Sequence, residues 1–145
     1  MANSTAYSFI NVSATLDGQT VQGLWDGDDA IVVTQGADAG TGLVGADGSG
    51  IFSISADKSA QISVKVQHTS PTHRLLMQKH KRQQALGSVA AAFPFSFIDT
   101  GSNEGGSSDR VFIMTKPTDS KGKNAVVREW VLWTADWNAE IPNNG

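Results

Sequence analysis

The chain has 145 residues, a formal charge of −3, 39% hydrophobic residues, 15 glycines, 4 prolines and no cysteine. Its acidity, with a pI near 5.4, speaks against a general nucleic-acid binder, which relies on a basic footprint, and the missing cysteines exclude disulfide scaffolds and thiolate metal sites. The length suits one domain over residues 1–145 that buries a core without staples.

The first residues show no basic region followed by an apolar run, so no secretory signal is expected. No apolar stretch is long enough to cross a bilayer, and a soluble protein with no membrane address is expected. Abundant glycine with little proline points to short, glycine-punctuated strands. The first runs from Tyr7 to Leu16, with Ile10, Val12, Ala14 and Leu16 on one face and Asp17-Gly18 as the turn. Shorter candidates follow at Thr20 to Trp25 and Asp29 to Gln35. Gly36 to Gly50 holds six glycines in fifteen positions, a composition that predicts a flexible, extended loop without regular structure.

Ile51 to Asp57 and Ala60 to Gln67 then alternate. Phe52, Ile54, Ala56, Ile62, Val64 and Val66 take one parity; Ser53, Ser55, Asp57, Gln61, Ser63, Lys65 and Gln67 take the other. Successive strand side chains face opposite ways, so each stretch has an oily and a wet face. The short step through Asp57, Lys58 and Ser59 predicts a hairpin over 51–68. Its wet face is short, mixed in sign and free of aromatics, a surface that suits either a wall past which something slides or an ordinary solvated sheet.

Ser70-Pro71 reads as an N-cap with proline at the first helical position, and Gly87 as the stop, which predicts a helix over 71–86. Leu75, Leu76 and Leu86 form a thin stripe interrupted by Lys79 and Gln83, while Arg74, Met77 and Lys81 point away. Such a helix should lie against the outside of a sheet. A strand over Phe93 to Asp99, a glycine and serine loop over Thr100 to Asp109, a strand over Arg110 to Thr115 and a polar loop over Pro117 to Asn124 follow. The last strand, Ala125 to Trp137, is apolar on both faces: Val127, Val131, Trp133 and Trp137 alternate with Val126, Trp130 and Leu132. One helix cannot easily cover both faces, whereas a neighbouring subunit could.

No constellation points to catalysis. Asp26, Asp28 and Asp29 lack the spacing and the returning glutamate of a calcium loop and read as a solvated turn. His73 and His80 are seven apart, not the four of a helical zinc pair, and with His68 read as exposed polar residues. Gly45 to Gly50 lacks the lysine and the following helix of a phosphate loop. There is no Gly-x-Ser-x-Gly elbow, and Glu104, Glu129 and Glu140 have no acid and base spacing. The basic run Arg74, Lys79, Lys81 and Arg82 fits either a contact with an acidic protein surface or a solvated face. Trp130 lies opposite Trp133 and Trp137, which disfavours a flat sugar platform and leaves core or subunit interface.

The run Gly45-Ala-Asp-Gly-Ser-Gly-Ile-Phe-Ser-Ile-Ser-Ala-Asp-Lys-Ser-Ala-Gln-Ile-Ser-Val-Lys-Val-Gln-His-Thr-Ser-Pro71 resembles the tail tube proteins of contractile bacteriophage tails. Asn3-Ser-Thr-Ala-Tyr-Ser-Phe-Ile-Asn-Val-Ser-Ala-Thr-Leu16 is similar to the same family. The resemblance implies a mainly β subunit, a β-sandwich or half-barrel with one flanking helix. Six copies would close into a ring, rings would stack, and inner strands would join into one large barrel around a water-filled bore for DNA.

On that resemblance Ser53, Ser55, Asp57, Gln61, Ser63, Lys65 and Gln67 would face the bore. The loop with Gly36, Asp38, Gly40, Gly42, Leu43, Asp47 and Gly50 would reach the adjacent ring. Arg74, Met77 and Lys81 would face outward or toward the sheath, and Trp130, Trp133 and Trp137 would meet neighbouring subunits. The implied partners are copies of the chain, the tail sheath protein, and baseplate and tail-terminating proteins. Tape-measure protein and DNA would pass through the lumen without specific binding, since an acidic subunit repels phosphate. No cofactor, metal, membrane or enzymatic activity is expected. The implied location is the phage tail of the virion, with the bacterial cytoplasm during assembly. The alternative is a monomeric β-sandwich binding module for carbohydrate or protein.

Overall fold

The computed structural model describes residues 6–143, so Asn3, Ser4 and Thr5 at the start of the second resembling segment lie outside the described residues. The chain is mainly β. In order come β1 (Val12–Leu16), β2 (Gln19–Thr20), β3 (Ile31–Gln35), β4 (Gly40–Val44), β5 (Gly50–Ile54), β6 (Ala60–Gln67), α1 (Pro71–Leu86), β7 (Phe93–Asp99), β8 (Glu104–Thr115), β9 (Val127–Thr134) and β10 (Asn138–Ala139).

One antiparallel sheet runs β2-β1-β7-β8-β9-β6-β3, with β10 also pairing β8. Strand β8 is the fold's pivot. Its first half, Glu104 to Ser108, pairs with β7, and its second half pairs with β9 through Phe112↔Trp133 and Ile113↔Leu132. The sheet thereby becomes two halves that share a strand and bury one core between them. Ala14, Leu16, Phe93 and Phe95 come from one half; Ile62, Val64, Val66, Trp130 and Leu132 come from the other. Val111 and Ile113 belong to the pivot, and Leu76 enters from α1. A buried 2.7 Å hydrogen bond between the Ser108 and Thr134 hydroxyls joins β8 to the end of β9. A mainly β subunit with one flanking helix is what the resemblance implies, and the large antiparallel sheet with α1 agrees with it.

The local signals for turns and helix ends hold. Asp17 and Gly18 take φ of 51° and 78°, as a two-residue hairpin between β1 and β2 requires. Ser70 Oγ accepts from Thr72 N at 3.0 Å, Pro71 opens the helix, and Gly87 closes it at φ 58° with its N–H on Gln83 O.

Other expectations are corrected. Ile10 sits in a single 3-10 turn, Phe9–Asn11, and is 90% exposed, so β1 begins only at Val12. Thr20 to Trp25 forms no full strand, only the end of β2 and a bridge from Leu24 to Val66. Nor is Gly36 to Gly50 an irregular loop: it contains β4, which pairs with β5 from Gly40↔Ile54 to Val44↔Gly50.

The predicted hairpin over 51–68 therefore does not form; β6 pairs with β3 and β9 instead. The connecting residues are drawn into other pairings. Lys58 bridges Asp136 and its carbonyl accepts from Trp137 N at 3.0 Å, while Ser59 O accepts from Gly36 N at 2.9 Å. With those groups taken, no tight turn can close there.

Glu104 to Asp109 is strand rather than loop. A Cβ at Gly106 would stand 2.6 Å from the Trp137 ring, and one at Gly105 would stand 2.1 Å from Phe97 O. These glycines admit close packing, not flexibility. The last strand stops at Thr134.

Candidate assembly surfaces

The β4–β5 ribbon stands apart from the sheet, as a separate two-stranded element. Cross-strand partners share a face, so Leu43 and Ile51 lie on one side and Val44, Phe52 and Ile54 on the other. All five are exposed, from 63% at Phe52 to 84% at Ile54. A hairpin of this length is marginal in water by itself, and apolar side chains on both faces ask for cover that the described residues do not supply. The ribbon is nevertheless well shaped at both ends. Ser55 N donates to Ala39 O at 2.8 Å across its base.

At the ribbon tip Gly45 N donates to Ser49 O at 2.7 Å and Gly48 N to Gly45 O at 3.0 Å. Asp47 accepts from Ser49 N and from the Ser49 hydroxyl, and these bonds hold its carboxyl below the ordinary value. Of the residues expected in a stacking loop, Gly40, Gly42, Leu43, Asp47 and Gly50 lie in this ribbon, whereas Gly36 and Asp38 lie in its approach.

The wet row divides. Gln61, Ser63, Lys65 and Gln67 do share one face of β6, opposite the buried Ile62, Val64 and Val66. Across β9 they meet Trp133, Val131, Glu129 and Val127; across β3, Ser63 meets Val32 and Gln61 meets Thr34. The surface is thus mixed, and Trp133 and Val131 interrupt the aromatic-free wall that the β6 row alone implies. Lys65 Nζ lies 3.7 Å from a Glu129 carboxylate oxygen, so its cation is locally balanced.

Ser53, Ser55 and Asp57 do not continue this row. Ser53 pairs with Thr41 in the ribbon, and Ser55 and Asp57 lie between β5 and β6, outside both strands. Ser55 Oγ accepts from Asp57 N at 3.1 Å, and hydrogen bonds from the Ser59 side chain and then from Ser59 N, the latter at 2.8 Å, hold the Asp57 carboxyl below its ordinary value. Strand β5 pairs with β4, so the two wet runs belong to different sheets.

On α1, Arg74 and Lys81 are exposed, but Met77 is half-buried and packs on the core, and Leu86 is 49% exposed. The apolar stripe is therefore Leu75, Leu76 and Met77, nearer the helix start than the leucines alone imply. The two polar residues in that stripe have partners in the sheet. Gln83 lays its amide along β8, donating to Ile113 O and accepting from Ile113 N, each at 2.9 Å. Lys79 pairs with Asp17 and lies 5.9 Å from the Phe93 ring centre.

The tryptophans separate as well. Trp130 is fully buried, so it belongs to the core and offers no surface to a neighbour. Its indole Nε1–H donates to His73 Nδ1 at 3.0 Å, and the His80 ring sits edge-on at 6.3 Å. His73 and His80 are thus seated on the core, not free polar residues; His68 is exposed and accepts from Val126 N at 3.3 Å.

Trp133 is half-buried on the outer face, and Trp137 stacks on Phe97 at 5.9 Å. Phe97, Trp137, Gly105, Val33 and Ala60 line an open groove of about 460 Å³ where the free end of β3 faces β7 and β10. Sequence reasoning missed this groove. Its one sequence signal is the glycine pair at 105–106, which leaves room for a ring. Asp26, Asp28 and Asp29 line a neighbouring groove with Asp99 and Glu104; among the described residues no set of three or more His, Cys, Asp or Glu is arranged to hold a metal.

The model of the bacteriophage PhiTE tail tube protein family matches residues 4–141. No curated protein sequence matches the chain. Among solved structures, the chain is similar to the tube-terminating cap of the anti-feeding prophage, at TM-score 0.58 and 11% identity over 97% of this chain and 94% of that one. It is similar to the sheath/tube terminator of PVC, an extracellular contractile injection system, in its extended state, at TM-score 0.62 and 12% identity over 97% of this chain and 100% of that one. A third likeness is to a chain of the extended PVC sheath-tube complex, at TM-score 0.55 and 13% identity over 94% of this chain and 99% of that one. At these identities the likeness is one of fold.

Proposed function

The chain belongs to the bacteriophage PhiTE tail tube protein family, and from that premise we propose that it is the repeating structural subunit of a contractile tail or related injection particle. Six copies close into a ring, rings stack into a hollow tube, and DNA and the tape-measure protein pass along the bore. The observation that carries this reading is the β4–β5 ribbon. Five large apolar side chains on a ribbon without cover make sense when a second copy supplies the cover.

In this reading the ribbon docks on the adjacent ring, and the stacking surface is Gly40 to Ile54 rather than a loop. The free edge of β3 supports sheet continuation between subunits, because an unpaired strand edge is a ready template for another strand. The β6 row with Gln61, Ser63, Lys65 and Gln67 faces the bore. Its short polar side chains and its balanced Lys65–Glu129 pair give passing DNA little to hold. Trp133 and Trp137 contribute to contacts between subunits. The exposed cations Arg74 and Lys81 meet the sheath, and tube ends meet baseplate and terminating proteins. Assembly takes place in the host before the virion is complete, and the role needs no enzymatic chemistry.

Negative-stain electron microscopy of the purified protein tests the reading. Six-fold rings or hollow tubes are expected. A species that stays monomeric at high concentration and on tail templates would remove it. Rings that never stack would instead assign the chain to the tube's terminating position.

A further inference from the structure

The seam between α1 and β9 concentrates titratable groups that the assembly reading does not use. Trp130 is fully buried, and its side chain's only hydrogen-bonding group, the indole N–H, donates to His73 Nδ1 at 3.0 Å. That bond requires His73 Nδ1 to be free of a proton. His80, two helical turns on, packs against the same indole, and its Nδ1 is buried without a hydrogen-bond partner among the described residues.

Beneath them on β9 lies Arg128, 4% exposed. Its Nη2 donates to Ser120 O at 2.8 Å and Asp119 Oδ1 at 3.2 Å, while its Nη1 is buried and unpartnered. The Asp119 carboxylate is shared with Lys121 at 2.8 Å, and His68 stands at the entry to the helix. Arg128 and His68 oppose a proton on His73, and Asp119, already divided between two cations, favours it.

We propose that the α1–β9 seam is an acid-released latch, in which a proton on His73 replaces Trp130's acceptor with a second donor and loosens the helix from the sheet. Two N–H groups then point at each other in a part-buried contact, and a new cation sits near a buried arginine. The seam has little reserve against this, since it already holds two buried polar atoms without partners.

Burial, followed by the charge of Arg128, holds His73 below its ordinary value of 6.5. The unfolded chain therefore binds this proton more readily than the folded one. Stability is full above pH 6.5 and is lost as pH falls from 6.5 through the folded value of His73. The carboxyls of Asp47, Asp57 and Asp119 are all held below 3.8, so their losses begin at lower pH and do not enter this window.

The test is urea unfolding of wild type and His73→Asn at pH 7.5 and pH 5.0. Asparagine keeps an acceptor near the Nδ1 position but does not titrate. The wild-type unfolding constant should rise as pH falls, by about tenfold for each unit separating the folded and unfolded values of His73. In His73→Asn most of that rise should vanish, whereas His68→Asn should keep it. Equal pH dependence in wild type and His73→Asn would overturn the latch. Should His73→Asn fail to fold, the Trp130 indole N–H resonance of the wild type decides. It should shift with the same midpoint as the His73 ring, and an indole signal unmoved through that titration would also overturn it. Neither readout depends on ring assembly.

Discussion

The β6–β9 pair and the β4–β5 ribbon are both antiparallel pairs with apolar residues on alternate positions, yet they end in opposite surroundings. In β6 and β9 the apolar parity is fully buried, at Ile62, Val64, Val66, Trp130 and Leu132. In the ribbon, residues of the same character remain in water on both faces. The difference lies in what approaches each pair. The β1–β7–β8 half and Leu76 of α1 close over β6 and β9, and Gln83 and Lys79 fasten that helix to β8 and to the β1–β2 turn. Among the described residues nothing closes over the ribbon. Alternation thus marks which side chains seek cover without saying where the cover comes from, and in an assembling subunit some of it comes from another molecule.

Substitutions in the two regions should therefore separate folding from assembly. The largest effect is expected at Trp130→Ala, which empties the covered seam and should cost about 3–5 kcal/mol in urea unfolding, with assembly failing as a consequence. Gln83→Ala should cost about 1–3 kcal/mol, because it strips both partners from the Ile113 backbone. Ser70→Ala, which removes the helix N-cap, should cost about 1 kcal/mol by the same measurement.

The ribbon should behave in the opposite way. Phe52→Ser with Ile54→Ser should shift stability by under about 0.5 kcal/mol, since both side chains are exposed, while sedimentation and microscopy show ring stacking lost. Normal tube growth in that variant would erase the distinction between the two regions. Charge reversal at Arg74 and Lys81 should change stability least. Bare tubes should persist while sheath assembly fails, and an intact sheath would dismiss the helix contact.

Local chemistry made part of this fold legible. Helix α1 was readable to the residue because its signals are short-range: a serine oxygen two residues from the N–H it caps, a proline whose φ suits the first turn, and a glycine free to take φ 58°. The turn at Asp17-Gly18 and strand β7 were readable for the same reason. The candidate surfaces were harder. The β6 row was found, but its neighbours Trp133 and Val131 come from about seventy positions along the chain. The Phe97–Trp137 groove also joins segments distant along the chain, and its seat is made by glycines that read as loop.

By itself, then, the amino-acid order determined which faces are oily, where the helix begins and ends, and that no familiar catalytic motif is present. Only the tertiary structure decided that β5 pairs with β4 rather than β6, that Trp130 is core while the ribbon is surface, and that His73 is an acceptor. The physical reason is range. Backbone turns and caps are settled within a few residues, whereas strand partners and burial depend on which distant segments together remove the most apolar area from water.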